Sequence, residues 1–193
     1  MTVAVLDLGC GNVGSVALAL RRAGASPVTT ADPDALQSAD KVIFPGVGAA
    51  GYAARRIDDL ALRDTLRRLT QPVLGVCLGM QLLFEHSEED DAPGLGLLPG
   101  QVRRMTPAPD RPVPHMGWSR LEVTGDAPGL ATGDYVYFAH SYAAEANGAT
   151  VATADHGGPI SAVVARDNWT GAQFHPERSG EAGARFMAAW LSA

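Results

Sequence analysis

Apolar and polar residues along the first half of the chain alternate between strand-like and helix-like patterns. Short apolar runs, which predict buried strands, occupy residues 2–8, 26–30, 41–44 and 72–76. Apolar residues at helical spacing, which predict helices, occupy residues 13–23, 51–69 and 78–85. Because strands that alternate with helices are typical of βαβ units, this half predicts a largely parallel sheet.

The second half is richer in short strand-like runs. Residues 94–105 predict loop and strand, and the proline-rich residues 106–114 predict irregular surface chain. Further strands are predicted at residues 120–123, 135–138, 150–154, 160–165 and 171–174. Residues 181–191 predict a closing amphipathic helix. The whole pattern predicts one α/β domain over residues 1–193, with a mostly parallel mixed sheet between two helical layers.

Composition narrows the class of protein. The chain has 193 residues, 46% of them apolar and 19% charged, which is typical of a globular domain with a sizeable core. Its net charge of -6 offers no basic surface for nucleic acid or anionic lipid. The apolar start is interrupted at Asp7 and Gly9, too early for an export signal or a membrane span, so we expect a cytoplasmic protein.

The sequence holds two cysteines, Cys10 and Cys77. A structural disulfide is not expected in a reducing compartment, and no His/Cys cluster has metal-ligand spacing, so no metal site is predicted. Cys10 has no distinctive setting and is interpreted as a packing or loop residue. Cys77 is therefore the candidate for reactive-cysteine chemistry.

The sequence GVCLG at residues 75–79 follows an apolar run and opens a predicted helix. This is the G-x-nucleophile-x-G pattern of a nucleophile elbow, with cysteine in place of serine. The sharp bend strains the nucleophile's backbone and requires small neighbours, while the helix N-terminus favours a thiolate. The alternative interpretation is that Cys77 is a small buried apolar residue.

A thiol nucleophile needs a base, and that base needs an orienting partner. Of the five histidines, only His175 ends an apolar run with a carboxylate nearby, in the sequence QFHPE at residues 173–177. If Pro176 keeps this segment extended, His175 and Glu177 point to the same side. His140 is the second candidate base, but it lacks an adjacent carboxylate. The alternatives are a solvated loop histidine and a surface carboxylate.

Two blocks, GVCLGMQ at 75–81 and QFHPE at 173–177, resemble the Cys–His–Glu triad blocks of class I glutamine amidotransferases. Further blocks resemble the glutaminase subunits of imidazole glycerol phosphate synthases: D-x-G-x-GN at 7–12, PGVG at 45–48, PHMGW at 114–118 and YFxHSY at 137–142. The resemblance covers nearly the whole chain. It implies a flavodoxin-like three-layer fold and catalysis without a metal or organic cofactor.

The resemblance also implies roles for individual residues. Cys77 would attack glutamine, His175 would transfer protons and Glu177 would orient His175. Backbone N–H groups for the oxyanion would come from Leu78, Val47 and Gly48. The amino-acid head of glutamine would be held by Gln81, Glu89, Ser141 and Tyr142. The partner interface would include Asn12, His115, Met116, Gly117, Trp118 and Tyr137.

The implied activity is hydrolysis of L-glutamine to L-glutamate and ammonia through a cysteine thioester. The ammonia would pass to a cyclase (β/α)₈-barrel subunit in a heterodimer of histidine biosynthesis, and Cys77 would be nearly idle until the barrel docks. Three positions depart from the family pattern, where Tyr, Arg and Asn are common: Leu8, Gly14 and Ser119. These departures bear on N-terminal and interface contacts, not on the triad.

Three other functions remain open from the residues. The chain could be a glutaminase for a different synthase, such as one in pyridoxal-phosphate synthesis, although the PHMGW and YFxHSY blocks argue against this. It could be a non-catalytic binding protein of the same fold, although all three triad residues are present. It could also be a cysteine peptidase or another hydrolase that uses the same elbow.

Overall fold

A computed structural model of the chain describes residues 1–9 and 11–193. Cys10, interpreted above as a packing or loop residue, lies outside the described residues. Within the ranges that the structure describes, no helix is both long and apolar enough to cross a membrane.

The described residues form β-strands, α-helices and two 3₁₀ turns. The strands are β1 (Thr2–Leu6), β2 (Ser26–Thr30), β3 (Lys41–Gly46), β4 (Val73–Cys77), β5 (His86–Ser87), β6 (Ala92–Pro93), β7 (Gln101–Arg104), β8 (His115–Val123), β9 (Tyr135–His140), β10 (Tyr142–Ala144), β11 (Thr150–Asp155), β12 (Pro159–Arg166) and β13 (Trp169–Ala172). The helices are α1 (Val13–Arg22), α2 (Pro33–Ser38), α3 (Ala50–Asp59), α4 (Arg63–Arg67), α5 (Leu78–Gln81) and α6 (Gly180–Ser192), with 3₁₀ turns at Glu89–Asp91 and Pro176–Arg178.

The main sheet has nine strands in the order β2-β1-β3-β4-β13-β12-β11-β8-β9. Neighbours from β2 to β13 run parallel, and those from β13 to β9 run antiparallel. A smaller sheet has the order β10-β7-β5-β6. The predicted α/β class with a mostly parallel mixed sheet is confirmed. The carboxyl ends of β3, β4 and β13 meet at one edge, where open α/β sheets bind ligands.

Strand β1 shows how one sheet builds two cores. Its alternate residues Ala4 and Leu6 pack into one apolar cluster, while Val3 and Val5 pack into the other. The first cluster includes residues of α2, α3 and α4, and the second includes residues of α1 and α6. This period-two alternation is expected of a strand covered on both faces. The predicted helical layers on both faces are therefore confirmed.

Strand β8 joins β9, the last strand of the main sheet, to the rest of that sheet. Residues 121–123 of this strand pair with β11, whereas residues 115–120 pair with β9. The β8–β9 ribbon folds back so far that the backbone N–H of His175, just after β13, donates to the Tyr137 carbonyl of β9 at 2.9 Å. Strand β9, the last in the strand order, thus contacts the chain just after β13, in the middle of the sheet.

Several predicted helix bounds were wrong. The single helix predicted over 51–69 is divided into α3 and α4, because Ala61 between them has a left-handed φ of 52°. The helix predicted over 78–85 ends at Gln81, and residues 82–84 continue as a buried turn. Gly94 packs against this turn so closely that a Cβ there would lie 1.9 Å from the Phe84 carbonyl oxygen. Tertiary contact, not helical periodicity, ends α5.

Other elements were missed or predicted too short. Helix α2 had no predicted counterpart, although Asp32 caps it and Pro33 occupies its first position, which are ordinary start signals. Strand β8 extends five residues further back than the predicted strand at 120–123, to His115. Of the small sheet, β7 lies within the loop and strand predicted at residues 94–105, but β5, β6 and β10 had no predicted counterpart, because they are too short to show a period of two.

Candidate active site

Cys77 lies at the junction of β4 and α5, with φ 54° and ψ −110°. A positive φ is strained for a residue with a side chain, and such strain is held only by surrounding packing. The two elbow glycines permit that packing. A Cβ on Gly79 would lie 1.8 Å from the Phe44 carbonyl oxygen, and one on Gly75 would lie 2.8 Å from the backbone of Gly79. The predicted strand-to-helix bend with small neighbours is confirmed.

The imidazole of His175 connects the thiol of Cys77 to a carboxylate. Its Nδ1 donates to Glu177 Oε1 at 2.9 Å, which leaves Nε2 for the Cys77 thiol, a group that helps to raise the pKa of His175. The side chains of His175 and Glu177 are only 8% and 3% exposed. Glu177 reaches the ring from the 3₁₀ turn Pro176–Arg178, not from the extended segment that was predicted. The three side chains nevertheless form one hydrogen-bonded row.

The protonation of His175 follows from its neighbours. Burial lowers its pKa, but hydrogen bonds and charge from Cys77 and Glu177 outweigh burial and raise the pKa to about 10. The ring is therefore an imidazolium at neutral pH, between two groups that favour the charged form. Glu177 Oε2 is also buried, and it has no hydrogen-bond partner among the described residues, so the imidazolium is the main group that stabilises this carboxylate.

The backbone of His175 is held by the folded-back strand β9. Its carbonyl accepts a hydrogen bond from Ser179 Oγ at 2.7 Å, and the same Oγ accepts from the Tyr137 N–H at 2.9 Å. With the His175 N–H donating to Tyr137, three hydrogen bonds join the base to β9. The sequence patterns assigned no role to Ser179, because its contacts depend on how the β8–β9 ribbon folds.

A cavity of about 290 Å³ opens beside the sulfur. Its volume is near the lower end of the range for small-molecule sites. The predicted oxyanion and substrate residues all line it together with Cys77: Val47, Gly48, Leu78, Gln81, Glu89, Ser141 and Tyr142. The remaining lining residues are Pro114, Met116, Ala139 and His140. Residues that are up to about a hundred positions apart in sequence thus surround one space next to the thiol.

Two polar side chains in this cavity are fixed by the protein. Burial raises the pKa of Glu89, although the Ala50 N–H at the start of α3 donates to its Oε2 at 2.8 Å and opposes that rise. Gln81 uses its Nε2 to donate to the Tyr142 carbonyl at 2.7 Å and to Gln173 Oε1 at 3.0 Å. Glu89 therefore keeps Oε1 for a ligand, and Gln81 keeps its own carbonyl oxygen.

The predicted interface residues divide into exposed and buried groups. Met116 and Trp118 are 64% and 54% exposed, and Tyr137 packs edge-on against Trp118 with ring centroids 6.1 Å apart. Gly117 between them has φ 130°. Asn12 caps helix α1 by accepting from the Ser15 N–H at 3.4 Å.

His115, the remaining predicted interface residue, is buried and stacks against Phe138 and His156, with ring centroids 4.7 and 4.2 Å away. It supports the exposed strand instead of presenting its own surface. The sequence analysis missed this because it predicted the strand only at residues 120–123, whereas β8 begins at His115 and its alternation places His115 inward and Met116 outward.

His115 belongs to a chain of hydrogen bonds whose direction is determined. His140 Nδ1 lies 2.8 Å from the Tyr142 carbonyl, which only accepts, so Nδ1 donates. Because burial holds the pKa of His140 below its usual value, the ring is neutral at pH 7 and its Nε2 accepts. His115 Nδ1, 3.1 Å away, therefore donates to it, and Ser119 Oγ, 2.8 Å from His115 Nε2, donates in turn. His115 is neutral as well, because burial and the neighbouring histidines lower its pKa. With both nitrogens engaged, His140 offers no free base to the thiol.

Acid should destabilise the fold through this histidine pair. Burial lowers the pKa of His140 to about 4, and burial together with the neighbouring histidines lowers the pKa of His115 to about 3. Below pH 6.5 the unfolded chain therefore binds more protons than the folded chain, and the free energy of unfolding decreases as the pH decreases. Each histidine contributes up to about 1.4 kcal/mol per pH unit in this window. Urea unfolding between about pH 7.5 and pH 5 measures the slope.

Substitutions can show whether the His115–His140 pair causes this pH dependence of the free energy of unfolding. His175 acts in the opposite sense: its raised pKa keeps it protonated in the folded chain, so its contribution to stability decreases as the pH rises through 6.5 and is constant only well below 6.5, where the unfolded chain is protonated too. His140→Asn keeps an amide donor for the Tyr142 carbonyl and should flatten the slope. His86→Asn, which removes the ring paired with Asp91 Oδ1 at 2.8 Å, is the matched control and should keep the slope. An unchanged slope in His140→Asn would contradict the assignment.

Comparisons with known proteins agree with this geometry. The family model described as glutamine amidotransferase class-I matches residues 4–191. The chain is 52% identical over 192 residues to "Imidazole glycerol phosphate synthase subunit HisH" of Xylella fastidiosa strain Temecula1, covering 98% of this chain and 96% of that relative. The protein of the same name from Xanthomonas axonopodis pv. citri is 50% identical over the same shares of the two chains.

Solved structures share the fold at lower identity. A crystal structure of a glutamine amidotransferase superposes with a TM-score of 0.77 at 20% identity, covering 99% of both chains. A structure of PurLQS from Thermotoga maritima superposes with a TM-score of 0.71 at 20% identity, covering 99% of this chain and 97% of that one. At such identity these two structures bear on the fold alone.

Proposed function

Because this chain belongs to the class I glutamine amidotransferase family, we propose that it is the glutaminase subunit of an imidazole glycerol phosphate synthase. Its relatives at about half identity carry that subunit's name, HisH, over nearly their whole length. The observation that carries the proposal is the strained Cys77 at the wall of the cavity, together with the hydrogen-bonded His175–Glu177 pair that interacts with it. Such a thiol is suited to attack a small amide.

The reaction begins with the Cys77 thiolate attacking the side-chain amide carbon of glutamine. His175, an imidazolium at neutral pH, donates a proton to the departing nitrogen, so the C–N bond breaks, ammonia leaves and a γ-glutamyl thioester remains. The now neutral ring takes a proton from a water molecule, whose oxygen attacks the thioester. The C–S bond breaks, glutamate is released, and the thiolate–imidazolium pair is restored. Glu177 keeps the ring oriented throughout.

Backbone N–H groups on two sides of the sulfur stabilise the oxyanion. One belongs to Leu78, the first residue of α5. The other comes from Val47 or Gly48, in the exposed turn after Gly46, which is aligned with Cys77 in the pairing of β3 and β4. Each such donor is worth about 3 kcal/mol of barrier. Gly48 has φ 105°, so this turn can adopt backbone conformations closed to other residues.

The rest of the cavity binds the amino-acid head of glutamine. Oε1 of Glu89 pairs with the α-ammonium, because Oε2 is already held by the Ala50 N–H. Ser141, Tyr142 and the free carbonyl oxygen of Gln81 supply the remaining polar contacts. This assignment favours an L-amino acid over a peptide, since the half-buried Glu89 is best paired with a free ammonium.

Ammonia leaves towards the exposed face of β8. Met116 both lines the cavity and is exposed at the surface, next to Trp118. A cyclase (β/α)₈-barrel docked on this face in a heterodimer would close the cavity and receive ammonia directly. Free ammonia would be mostly protonated in neutral water and would lose its nucleophilicity. The same proposal places the complex in the cytoplasm and in histidine biosynthesis.

The test measures glutamate formation by the chain alone and with the cyclase subunit and its nucleotide ligand. We expect slow hydrolysis alone and a large stimulation in the complex. Stimulation by the barrel of a pyridoxal-phosphate synthase instead would assign the chain to another synthase. Turnover of peptides or esters without glutamine hydrolysis would replace the proposal with a peptidase or esterase. Equal activity with and without any barrel would contradict the subunit assignment.

A further inference from the structure

Gln173 is buried beside the nucleophile and has no role in the mechanism above. It directly follows β13 and lies two residues before His175, and the side chains of both residues interact with the Cys77 thiol. Gln173 is 0% exposed, and its Nε2 lies 3.8 Å from Cys77 Sγ. A fully buried amide must satisfy its hydrogen bonds within the protein, so this contact is a specific feature of the site.

Neighbouring groups determine which end of the Gln173 amide faces the sulfur. The Tyr142 carbonyl only accepts, so the Gln81 atom 2.7 Å from it must be the donor Nε2. The same Nε2 lies 3.0 Å from Gln173, which must therefore present its Oε1 to Gln81. This leaves Nε2 of Gln173 to face Cys77. Reversing the Gln81 amide would bring two acceptors together, and reversing the Gln173 amide would bring two donors together.

We propose that Gln173 is a positioning residue for the nucleophile. Its Nε2 donates a hydrogen bond that holds the Cys77 sulfur in place and favours the thiolate, while its Oε1 accepts a separate hydrogen bond from Gln81 in the wall of the substrate cavity. This inference rests on the proposed function of Cys77. It gives the thiolate a second hydrogen-bond donor besides His175. Through Gln81, it also connects the nucleophile with the carbonyl of Tyr142.

The physical basis is that an amide N–H binds a thiolate more strongly than a neutral thiol. A hydrogen bond to an ionised acceptor is roughly twice as strong as one between neutral groups. In a buried site, water cannot replace the lost donor, so its removal shifts the balance towards the protonated thiol. Because Cys77 is only 6% exposed, the protein and not water must supply the hydrogen bonds that stabilise its thiolate.

Two variants separate this donor from simple packing. Gln173→Glu keeps the shape and an acceptor for Gln81 but replaces the donor at the sulfur with a carboxylate oxygen. Gln173→Met keeps the approximate length and removes both polar atoms. Gln81→Met is the matched control, because it cuts the same Gln173–Gln81 bond and leaves the donor to Cys77. Thermal unfolding of each full-length variant reports whether it is folded.

The experiment follows alkylation of Cys77 by iodoacetamide against pH, in a Cys10→Ser background. Gln173→Met should slow alkylation at neutral pH about tenfold and move the midpoint of the pH profile upwards, with a larger change in Gln173→Glu. Gln81→Met should keep the wild-type profile and raise the KM for glutamine. In the complex, both Gln173 variants should lower kcat.

Each outcome decides the proposal. A wild-type alkylation profile in folded Gln173→Glu or Gln173→Met would overturn it. An equal shift in Gln81→Met would also overturn it, because the effect would then come from packing. Alkylation needs neither glutamine nor the partner, so its result stands apart from the proposed function. If Cys77→Ala retained glutaminase activity while the alkylation shifts were seen, the function would fail and the contact would remain.

Discussion

Replacing Cys77 with alanine is expected to lower the rate of glutamate formation in the complex by on the order of 10⁴-fold or more. In the described cavity lining, Cys77 is the nucleophile that lies at a strained strand-to-helix bend, so its thiolate forms the covalent intermediate with the amide carbon. Alanine removes the sulfur and leaves the oxyanion donors and the substrate contacts. Steady-state assays of the purified complex, with glutamate quantified over long incubations, would measure the residual rate.

Controls for this variant distinguish loss of the sulfur from loss of the folded structure. Alanine must adopt the same φ of 54° as the cysteine, so the elbow remains strained to a similar degree. We expect Cys77→Ala to keep its unfolding midpoint, its affinity for glutamine and its affinity for the barrel. The matched control is Cys10→Ser, which should keep wild-type activity. Undiminished glutamate formation by Cys77→Ala would remove the mechanism.

Replacing His175 with asparagine should lower kcat by about 10³-fold, within the range for loss of a general acid–base group. Asparagine keeps an amide donor for Glu177 but removes the ring nitrogen that hydrogen-bonds Cys77. Neither protonation of the departing ammonia nor activation of water can then occur at this position. The stabilising partner of the thiolate is lost at the same time. Single-turnover assays that separate thioester formation from its hydrolysis should show both steps slowed.

His156→Gln is the control for the His175 variant. The ring of His156 bonds the Pro112 carbonyl through Nε2 at 3.0 Å, a contact that a glutamine amide can keep, and it does not line the cavity. Its kcat should stay within a factor of about two of wild type, as for substitutions away from the chemistry. A His175→Asn enzyme as active as His156→Gln would assign proton transfer to another group.

The position of His175 also suggests how docking at β8 can influence the chemistry. Trp118 on β8 is paired with Tyr137 on β9, and Tyr137 is hydrogen-bonded to His175 and Ser179. Few bonds separate the exposed aromatic surface from the base. A partner that shifts the β8–β9 ribbon would therefore move the imidazole relative to the sulfur. This short connection fits a glutaminase that is slow until its partner is bound.

Local features of the active site could be predicted from the sequence because their determinants lie close together. The bend at residues 75–79 requires glycines on both sides of the nucleophile, and GVCLG supplies them. The pairing of His175 with Glu177 spans two residues, so any local geometry that keeps them on one side brings them together. The α/β class followed in the same way from alternating periodicities in the first half.

The positions of Ser179, Gln173 and the His115–His140 pair were decided only by the tertiary structure. Their contacts depend on the β8–β9 ribbon folding back onto the end of β13, and on residues 61 to 92 positions apart meeting around Gln81. Periodicity along a chain reports which face of an element is buried. It does not report which distant element covers that face, because sheet curvature and strand register are set by the packing of the whole domain.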